Sequence, residues 1–229
     1  MIKIDVYASG SKGNCYRISD GETDLLLECG ISARDILKSI DFGVSLIEGC
    51  LISHEHGDHS KGVKDMLRLG FELYASSGTF GALGVSGRHC HPVQAGKTFR
   101  IGTFDIFPFE TEHDAAEPLG FVITSKSTGE RLLFFTDTYY VRYVFRNVNY
   151  IMGECNYSER TMRPDLERSR KDRLFESHMS LEHLIELLGH YDMTQVKQIY
   201  LLHLSDDNSS SSLFKREVQR ATGVEVYVC

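Results

Sequence analysis

The alternation of apolar and polar residues along the chain predicts a mixed α/β protein that is rich in strands. Alternating or continuous apolar runs predict strands, and apolar residues three or four positions apart predict helices. The predicted strands lie near residues 2–8, 14–19, 23–29, 47–53, 71–75, 98–101, 104–109, 119–125, 131–136, 148–153, 198–202 and 224–228. The predicted helices lie near residues 33–40, 60–69, 77–83, 180–190 and 212–221. Several strands precede each helix, which favours a layered sandwich over a doubly wound sheet.

Two helix ends can be located from single residues. Ser32, followed three residues later by Asp35, is typical of a capping box at a helix start. Gly223 stands where a glycine that ends a helix is expected.

The composition is that of one globular domain over residues 1–229. The chain is 41% hydrophobic and 25% charged, which argues against disorder. Its first residues enter a strand pattern directly, and no apolar run is long enough to cross a bilayer. We therefore expect a cytoplasmic protein with no membrane partner.

Charge and cysteine usage exclude some further classes. The net charge of −7 gives no global basic field, which argues against a general DNA coat but not against an enzyme that binds phosphate through metal ions. The six cysteines are scattered without a C-x-x-C pair, so we predict reduced core residues.

Residues 54–59, His-Glu-His-Gly-Asp-His, form the densest group of potential ligands in the chain and are called the histidine loop below. The loop directly follows the apolar run 47–53 and precedes a predicted helix. His54 and His56 are two residues apart and point to the same side of an extended chain. Asp58 and His59 lie beyond the glycine and can face a second ion. The pattern predicts a metal site at the edge of an α/β sheet.

The other ligands of a two-ion site should come from other strand ends. His113, Asp137 and His203 each follow an apolar strand pattern. The resulting sets are His54, His56, His113 and Asp137 for one ion, and Asp58, His59, Asp137 and His203 for the other. Asp137 would bridge the two ions. Ligation by nitrogen and oxygen alone suits zinc or manganese, and iron is also compatible.

The remaining histidines differ in their surroundings. His89 and His91 precede or flank a turn or strand entrance near Pro92, and His183 and His190 flank the apolar face of a predicted helix. We interpret these four as structural. His178 is separate from any apolar face and can reach a pocket.

The histidine loop matches the H-x-H-x-D-H motif of the metallo-β-lactamase fold superfamily. Residues 8–14, 113–121, 135–138 and 202–205 resemble the YycJ/WalJ branch, so the resemblance covers nearly the whole chain. It implies a four-layer αββα sandwich with a dinuclear metal site at the sheet edges. It also implies a hydrolase that digests DNA from 5′ to 3′. The layout is also similar to tRNA 3′-processing ribonucleases, but the chain has no long extra arm for holding tRNA.

Two further residues match the family's pattern, and a third position holds a different residue from its relatives. Glu154 and His178 match a Glu–His pair that lies near the scissile phosphate in related nucleases. Relatives carry aspartate in a Leu-Asp-Ala-Gly motif where this chain has Glu28, which is one methylene longer.

The expected mechanism assigns three catalytic residues. A hydroxide that bridges the two metal ions would attack the phosphodiester, with Asp58 helping to orient it. His178, held by Glu154, would protonate the leaving oxygen.

The predicted substrate contacts fall in two segments. Residues 159–173 are rich in basic side chains, among them Arg168, Arg170 and Lys171, and favour a phosphate-binding loop and a solvated helix or loop about equally. The glycine-containing turn with Ser9, Ser11 and Asn14 can offer backbone N–H groups to a terminal phosphate, or it is simply a hairpin turn.

Two other functions remain open at this point. The first is a phosphodiesterase for a small or cyclic nucleotide, or a thioester or lactam hydrolase, since one fold hosts many substrates. Two carboxylates, Asp58 and Asp137, and the absence of a cysteine ligand favour phosphodiester chemistry. The second is a scaffold without catalysis that binds nucleic acid or protein. The complete ligand set argues against it.

Overall fold

The computed structural model describes residues 1–229 with the exception of the side chain of Arg170. The chain divides into two compact units. Unit 1 comprises Met1–Glu110 and Ala115–Glu130, and unit 2 comprises Thr111–Asp114 and Arg131–Cys229. The assignment of residues 1–229 to one domain stays a prediction.

Unit 1 contains a six-stranded sheet whose strands follow chain order. They are β1 (Lys3–Ala8), β2 (Cys15–Ser19), β3 (Asp24–Leu27), β4 (Ile47–Leu51), β5 (Leu73–Ser76) and β6 (Cys90–Val93). The first three pair antiparallel, and β3 to β6 pair parallel. A second group, β7 (Phe99–Ile101), β8 (Phe104–Glu110) and β9 (Leu119–Ser125), forms an antiparallel meander.

Four helices complete unit 1 and cover its apolar side chains. They are α1 (Ala33–Ser39), α2 (Gly57–Ser60), α3 (Val63–Arg68) and α4 (Ser77–Leu83). Ile36 of α1 and Met66 of α3 pack with Leu26, Ile52 and Leu73 from the parallel strands and their ends in one buried cluster. Strands β3, β4 and β5 are mostly apolar and mostly buried, as is usual for parallel strands.

Unit 2 contains four parallel strands and three helices. The strands are β10 (Arg131–Phe135), β11 (Tyr150–Glu154), β12 (Gln198–Leu202) and β13 (Glu225–Val228). The helices are α5 (Arg168–Ser177), α6 (Leu181–Leu188) and α7 (Ser211–Thr222). In a parallel sheet the carboxyl ends of the strands meet at one edge, which is where binding sites of α/β folds form. Asp137, Glu154 and His203 therefore belong to the same edge.

The structure differs from the predicted elements in three places. The helix expected over residues 60–69 is two short helices, α2 and α3, and α2 already begins at Gly57. Strand β6 was not predicted because it contains Pro92, which removes a backbone donor; the strand lies at the sheet edge, where proline is tolerated. Helix α5 forms within and beyond the basic segment 159–173, with few apolar residues to give it a helical repeat.

Other predictions from single residues are confirmed. The Ser32 side chain accepts a hydrogen bond from the backbone N–H of Asp35 at the start of α1. Gly223 ends α7 in the left-handed conformation, with φ of 71°. The six cysteines are free thiols, and four are buried: Cys15, Cys29, Cys50 and Cys155.

Within the part of the chain that the structure describes, every helix is too short or too polar to cross a bilayer. The cytoplasmic location stays a prediction.

Candidate metal and catalytic site

The histidine loop of unit 1 brings its four ligand candidates close to one another. The ligand atoms of His54 and His56 lie within 4.8 Å, as do those of Asp58 and His59. The ring centroid of His54 is 4.7 Å from that of His56 and 4.3 Å from that of His59. Because α2 begins inside the loop, Asp58 and His59 lie in the first turn of a helix. These four predicted ligands therefore form one cluster.

Backbone hydrogen bonds hold the loop against the end of β3. The carbonyl of Asp58 accepts from the N–H of Asn14 at 2.8 Å, and the carbonyl of His59 accepts from the N–H of Cys29 at 3.0 Å. A Cβ atom at Gly30 would lie 1.6 Å from the Asp58 carbonyl oxygen, so only glycine permits this close approach.

The buried Asn14 side chain connects this turn to the ligands. Its Nδ2 lies 3.2 Å from His59 Nε2 and also donates to the Asp58 carbonyl at 3.2 Å. Its Oδ1 accepts from the Gly10 N–H and from the Tyr16 hydroxyl. Asn14 thus supports the histidine loop, a role that the sequence alone did not indicate.

Glu28 is also fully buried beneath the histidine loop. Its carboxylate accepts from the Ser53 N–H at 3.1 Å and lies 3.7 Å from His59 Nδ1. Its backbone is left-handed, with φ of 63°. The longer side chain therefore still reaches the loop, with its backbone in a conformation that costs about 1–2 kcal/mol for a residue other than glycine.

Unit 2 holds a second cluster, called the unit 2 cluster below. Ligand atoms of Asp137, Glu154, His178 and His203 all lie within 4.8 Å of one another. His113 joins them, with its Nε2 3.6 Å from Asp137 Oδ2. Asp137 and His203 follow β10 and β12 and have φ of 45° and 52°. This left-handed turn directly after a strand is tolerated better by aspartate and histidine than by most residues.

One hydrogen bond fixes the tautomer of His113. Its Nδ1 lies 3.0 Å from the carbonyl oxygen of Ser177. A carbonyl only accepts, so Nδ1 carries the proton and the lone pair is on Nε2, which faces Asp137. Burial lowers the pKa of His113 more than the nearby Asp137 raises it. The neutral ring with this lone pair is the form that ligates metal ions.

His178 and Glu154 are paired as the resemblance implies. His178 Nδ1 lies 2.6 Å from Glu154 Oε1, and the other Glu154 oxygen accepts from the N–H groups of Thr138 and Met179. Burial lowers the pKa of His178, but the charge and hydrogen bond of Glu154 outweigh it, so the pKa is raised overall. Glu154 is fully buried, whereas the His178 side chain remains 19% exposed.

A further supporting residue was not found from the sequence. The Asn156 side chain donates to the His203 carbonyl at 2.8 Å, and its Nδ2 lies 3.1 Å from His203 Nδ1. It follows β11 two residues after Glu154. Its position near a strand end was the only pattern that could have indicated it.

The donor groups of both clusters fit divalent metal ions. The resemblance implies such ions, and each cluster offers imidazole nitrogens and carboxylate oxygens, the ligands of zinc, manganese and iron. Metal-binding histidines usually have a second hydrogen-bond partner that orients the ring. His54 has one in the Ser53 hydroxyl at 2.9 Å, and His113 has one in the Ser177 carbonyl.

The predicted phosphate contacts have other partners in the structure. Ser9 accepts a hydrogen bond from the Tyr16 hydroxyl, Asn14 is buried, and Ser11 is exposed in its turn. The substrate role of this turn stays a prediction.

Residues 168–173 of the basic segment lie in α5, and residues 159–167 precede it. The Arg168 side chain is 95% exposed and lies 3.9 Å from Asp172, and Lys171 lies over the Phe175 ring. The side chain of Arg170 lies outside the described residues. The substrate role of these three basic residues stays a prediction.

The remaining histidines lie apart from the clusters. His89 and His91 bind the two oxygens of Glu72 at 2.8 and 2.5 Å, and His91 is part of β6, as a strand entrance predicts. His183 and His190 are exposed on α6 and beyond its end.

Two relatives of known name are similar in sequence over most of the chain. The chain is 31% identical over 229 residues to exodeoxyribonuclease WalJ of Streptococcus pneumoniae, covering 92% of this chain and 84% of the relative. It is 28% identical over 237 residues to exodeoxyribonuclease YycJ of Bacillus anthracis, covering 96% and 88%. These similarities confirm the predicted resemblance.

The whole chain is also similar in structure to a known fold. The metallo-β-lactamase fold protein YhfI of Bacillus subtilis superposes with a TM-score of 0.77 at 16% identity, covering 100% of this chain and 97% of that one. The predicted αββα fold class is thereby confirmed. A family model described as a β-lactamase superfamily domain matches residues 25–204. The chain therefore belongs to the β-lactamase superfamily and is a hydrolase with the metallo-β-lactamase fold.

Proposed function

We propose that the chain is a dinuclear-metal phosphodiesterase that acts on nucleic acid, and specifically a 5′-to-3′ DNA exonuclease. Its similarity to two exodeoxyribonucleases over more than nine-tenths of its length supports the substrate class. The observation that carries the chemistry is the buried Glu154 carboxylate 2.6 Å from the partly exposed His178. In this pair Glu154 fixes the orientation of His178, which is the proton donor and lies among side chains that can bind metal ions.

The proposed ligands are those expected from the sequence. One set is His54, His56, His113 and Asp137, and the other is Asp58, His59, Asp137 and His203. Bound zinc, manganese or iron would supply positive charge that neutralises the scissile phosphate and makes water a stronger nucleophile. Asp137 belongs to both proposed sets and is the one ligand that they share.

The catalytic roles follow from the hydrogen bonds of each side chain. His178 binds Glu154 through Nδ1, so its Nε2 is the nitrogen that delivers a proton to the leaving oxygen. Glu154 raises the pKa of His178 and so keeps that proton available. The Asp58 carboxylate, 3.4 Å from His59 Nε2 and partly exposed, orients the attacking water.

End-labelled nucleic acids test this proposal. The protein is reconstituted with zinc or manganese and incubated with DNA and RNA that carry a label at either the 5′ or the 3′ end. We expect immediate release of the 5′ label from DNA as mononucleotide, and stepwise shortening of the 3′-labelled strand. The order of release gives the polarity, and the two metals are compared at equal loading.

A matched pair of variants shows whether the site is responsible. Asp58→Asn should abolish cleavage while its thermal unfolding matches wild type. Asp65→Asn makes the same change at an exposed residue of α3 that pairs with Arg68, and should cleave normally. Wild-type cleavage by Asp58→Asn would refute the site assignment. A metal-loaded protein that cleaves no polymer but hydrolyses cyclic nucleotides would replace the exonuclease with a small-nucleotide phosphodiesterase.

A further inference from the structure

Exposed apolar side chains concentrate in one short segment of unit 2. Residues 139–146, Tyr-Tyr-Val-Arg-Tyr-Val-Phe-Arg, follow Asp137 after one residue and are called the aromatic segment below. Ten large hydrophobic residues are exposed among the described ones, and four of them lie here: Tyr139, Tyr140, Tyr143 and Val144. Scattered exposed apolar residues are ordinary, but a contiguous group marks an interaction surface.

The charge of this segment is opposite to that of the whole chain. Although the net charge is −7, the sequence between Asp137 and Glu154 contains no acidic residue and includes Arg142 and Arg146. The Arg142 side chain is 59% exposed and pairs with Glu112 on one side. Glu112, and Glu186 and Asp192 in the adjoining grooves, offset part of this charge. Arg142 and Arg146 therefore offer individual phosphate contacts rather than a broad basic field.

Two open grooves adjoin the aromatic segment within unit 2. The first, of about 240 Å³, is lined by Tyr140, Arg142 and Val144 and by α6 residues that include Glu186. The second, of about 490 Å³, is lined by Val144, Phe145 and Arg146. Val144 and His190 line both grooves, so the two grooves adjoin along the segment.

The tyrosine and arginine side chains of the aromatic segment favour a nucleic-acid ligand over an apolar protein helix. Tyrosine rings stack on the flat faces of nucleobases, and arginine binds phosphate and also stacks on bases. An apolar protein helix would instead require a groove without Arg142, Arg146 and Glu186 at its walls. In a duplex, neighbouring base pairs already cover the base faces, so stacking on tyrosine needs unpaired bases.

Thr138, the residue before the aromatic segment, is hydrogen-bonded to Glu154 of the proposed catalytic pair. The Thr138 N–H donates to Glu154 Oε2 at 2.9 Å, and its hydroxyl donates to the Tyr140 carbonyl at 2.7 Å. The same hydroxyl accepts from the Glu112 N–H. A strand that stacks on the segment would therefore be held beside the residue that positions His178.

We infer that the aromatic segment is a stacking platform for unpaired nucleotides of the substrate strand. Tyr140 and Tyr143 bind bases, and Arg142 and Arg146 bind the phosphates between them. This inference rests on the proposed function and narrows its substrate to nucleic acid that is single-stranded next to the cleaved bond.

Fluorescence anisotropy tests the platform on the metal-loaded protein. The probe is a labelled oligothymidine of about 16 nucleotides, the upper site size of a single-strand binding domain, with phosphorothioate linkages that resist cleavage. Tyr140→Leu/Tyr143→Leu removes the rings but keeps apolar volume and should raise Kd about 5- to 100-fold. Tyr140→Phe/Tyr143→Phe keeps the rings and should bind like wild type. Tyr227→Leu, an exposed tyrosine on β13, is the control for losing a ring elsewhere.

A salt titration gives an independent measurement. Arg142→Gln/Arg146→Gln should lower the slope of log Kd against log salt by somewhat more than one, since each phosphate contact on a single strand contributes about 0.7. A slope equal to wild type would contradict phosphate binding by these arginines. All variants are compared by thermal unfolding.

The outcomes separate the platform from the proposed function. Weak binding by the Leu pair, with normal binding by the Phe pair, supports the platform. Equal binding by the Leu pair and wild type, equal losses in the Leu and Phe pairs, or equally tight wild-type binding of a duplex would each overturn it. If wild type still cleaves end-labelled DNA in those cases, the exonuclease proposal stands without the platform. If wild type neither binds nor cleaves nucleic acid, both fail.

Discussion

The histidine loop and the unit 2 cluster assemble similar donor groups from very different stretches of sequence. The loop draws four ligand candidates from six consecutive residues, whereas the unit 2 cluster draws Asp137, Glu154, His178 and His203 from positions spread over residues 137–203. Local spacing is sufficient for the first. The second depends on parallel strands that end at one sheet edge. Changes in backbone register should therefore disturb the unit 2 cluster more than the loop.

The two clusters also differ in how their backbone is held. In the histidine loop the ligand candidates have ordinary conformations, and it is the supporting Glu28 that is left-handed. In the unit 2 cluster Asp137 and His203, which are left-handed, are ligand candidates themselves. Such conformations cost about 1–3 kcal/mol each and persist where the surroundings determine them. Asp137 and His203 thus place backbone strain within the proposed site.

The largest expected effect comes from the one residue that belongs to both proposed ligand sets. Asp137→Asn should lose both ions and all measurable turnover, because it belongs to both proposed sets. His56→Gln, in the histidine loop, should lose one ion only, since it belongs to one set. Metal content per chain after dialysis, measured by mass spectrometry of the elements, checks both expectations.

The control for charge loss is Asp192→Asn, an exposed residue after α6 that binds the N–H of Thr194. It should retain both ions. Two ions retained by Asp137→Asn would show that the shared-ligand assignment is wrong, and equal losses in Asp137→Asn and His56→Gln would remove the proposed difference between the clusters.

The next largest effect should be on proton transfer. His178→Ala should lower kcat on DNA by about 10²–10⁴, the usual contribution of a general acid, while metal content stays near wild type. His89→Ala removes a histidine that binds Glu72 in unit 1 and should leave kcat unchanged. A His178→Ala protein with wild-type kcat would exclude this residue as the acid.

A smaller effect is expected from the residues that support the ligands. Glu28→Gln in unit 1 and Asn156→Ala in unit 2 should each weaken metal binding about 10- to 100-fold, the range found when an outer partner of a ligand is removed. Glu28→Asp should lose less, since it keeps the charge. Competition with a chelator of known affinity measures the three Kd values. Unchanged affinity in both Glu28→Gln and Asn156→Ala would mean that neither side chain orients a ligand.

The smallest effect is expected on the free energy of unfolding, from backbone strain at a residue that belongs to neither cluster. Phe42 has φ of 58° and is 67% exposed after α1. Phe42→Gly should raise the free energy of unfolding by about 0.5–1 kcal/mol, because glycine adopts this conformation without a steric penalty. Lys38→Gly, within α1, should instead lower it by about 1 kcal/mol. Urea unfolding measures both, and destabilisation by Phe42→Gly would show that the left-handed conformation there is not strained.

The sequence predicted most of what depends on local spacing. The histidine loop could be identified because its ligands are adjacent, and Asp137 and His203 because each directly follows an apolar run. The sequence pattern indicated only that His178 lies apart from any apolar face. Its pairing with Glu154 and its role as a proton donor came from the resemblance to relatives. The backbone clamp from Cys29 and Gly30 to the histidine loop was not predicted, because it joins residues far apart in sequence.

Supporting residues were harder to predict than ligands. Asn14 was predicted only as part of a turn that can offer backbone N–H groups to phosphate or is a hairpin turn. Its side-chain contacts with Asp58, His59 and Tyr16 join residues that are brought together only by folding. Asn156 has no sequence pattern of its own beyond lying close to a strand end. Helix α5 and strand β6 were missed because neither has the apolar repeat from which elements are predicted.

Because most of the thiols are buried, their reactivity towards an alkylating reagent distinguishes folded from unfolded molecules. The thiolate is the form that reacts with alkylating reagents. Burial raises the pKa of Cys15 and Cys155 well above its usual value, and a hydrogen bond with Cys29 together with burial does the same for Cys50. A folded molecule therefore presents at most Cys90 and Cys229, which are partly exposed. An unfolded molecule presents all six thiols. A brief pulse of iodoacetamide followed by intact-mass measurement would count folded and unfolded molecules directly, without any substitution in the chain.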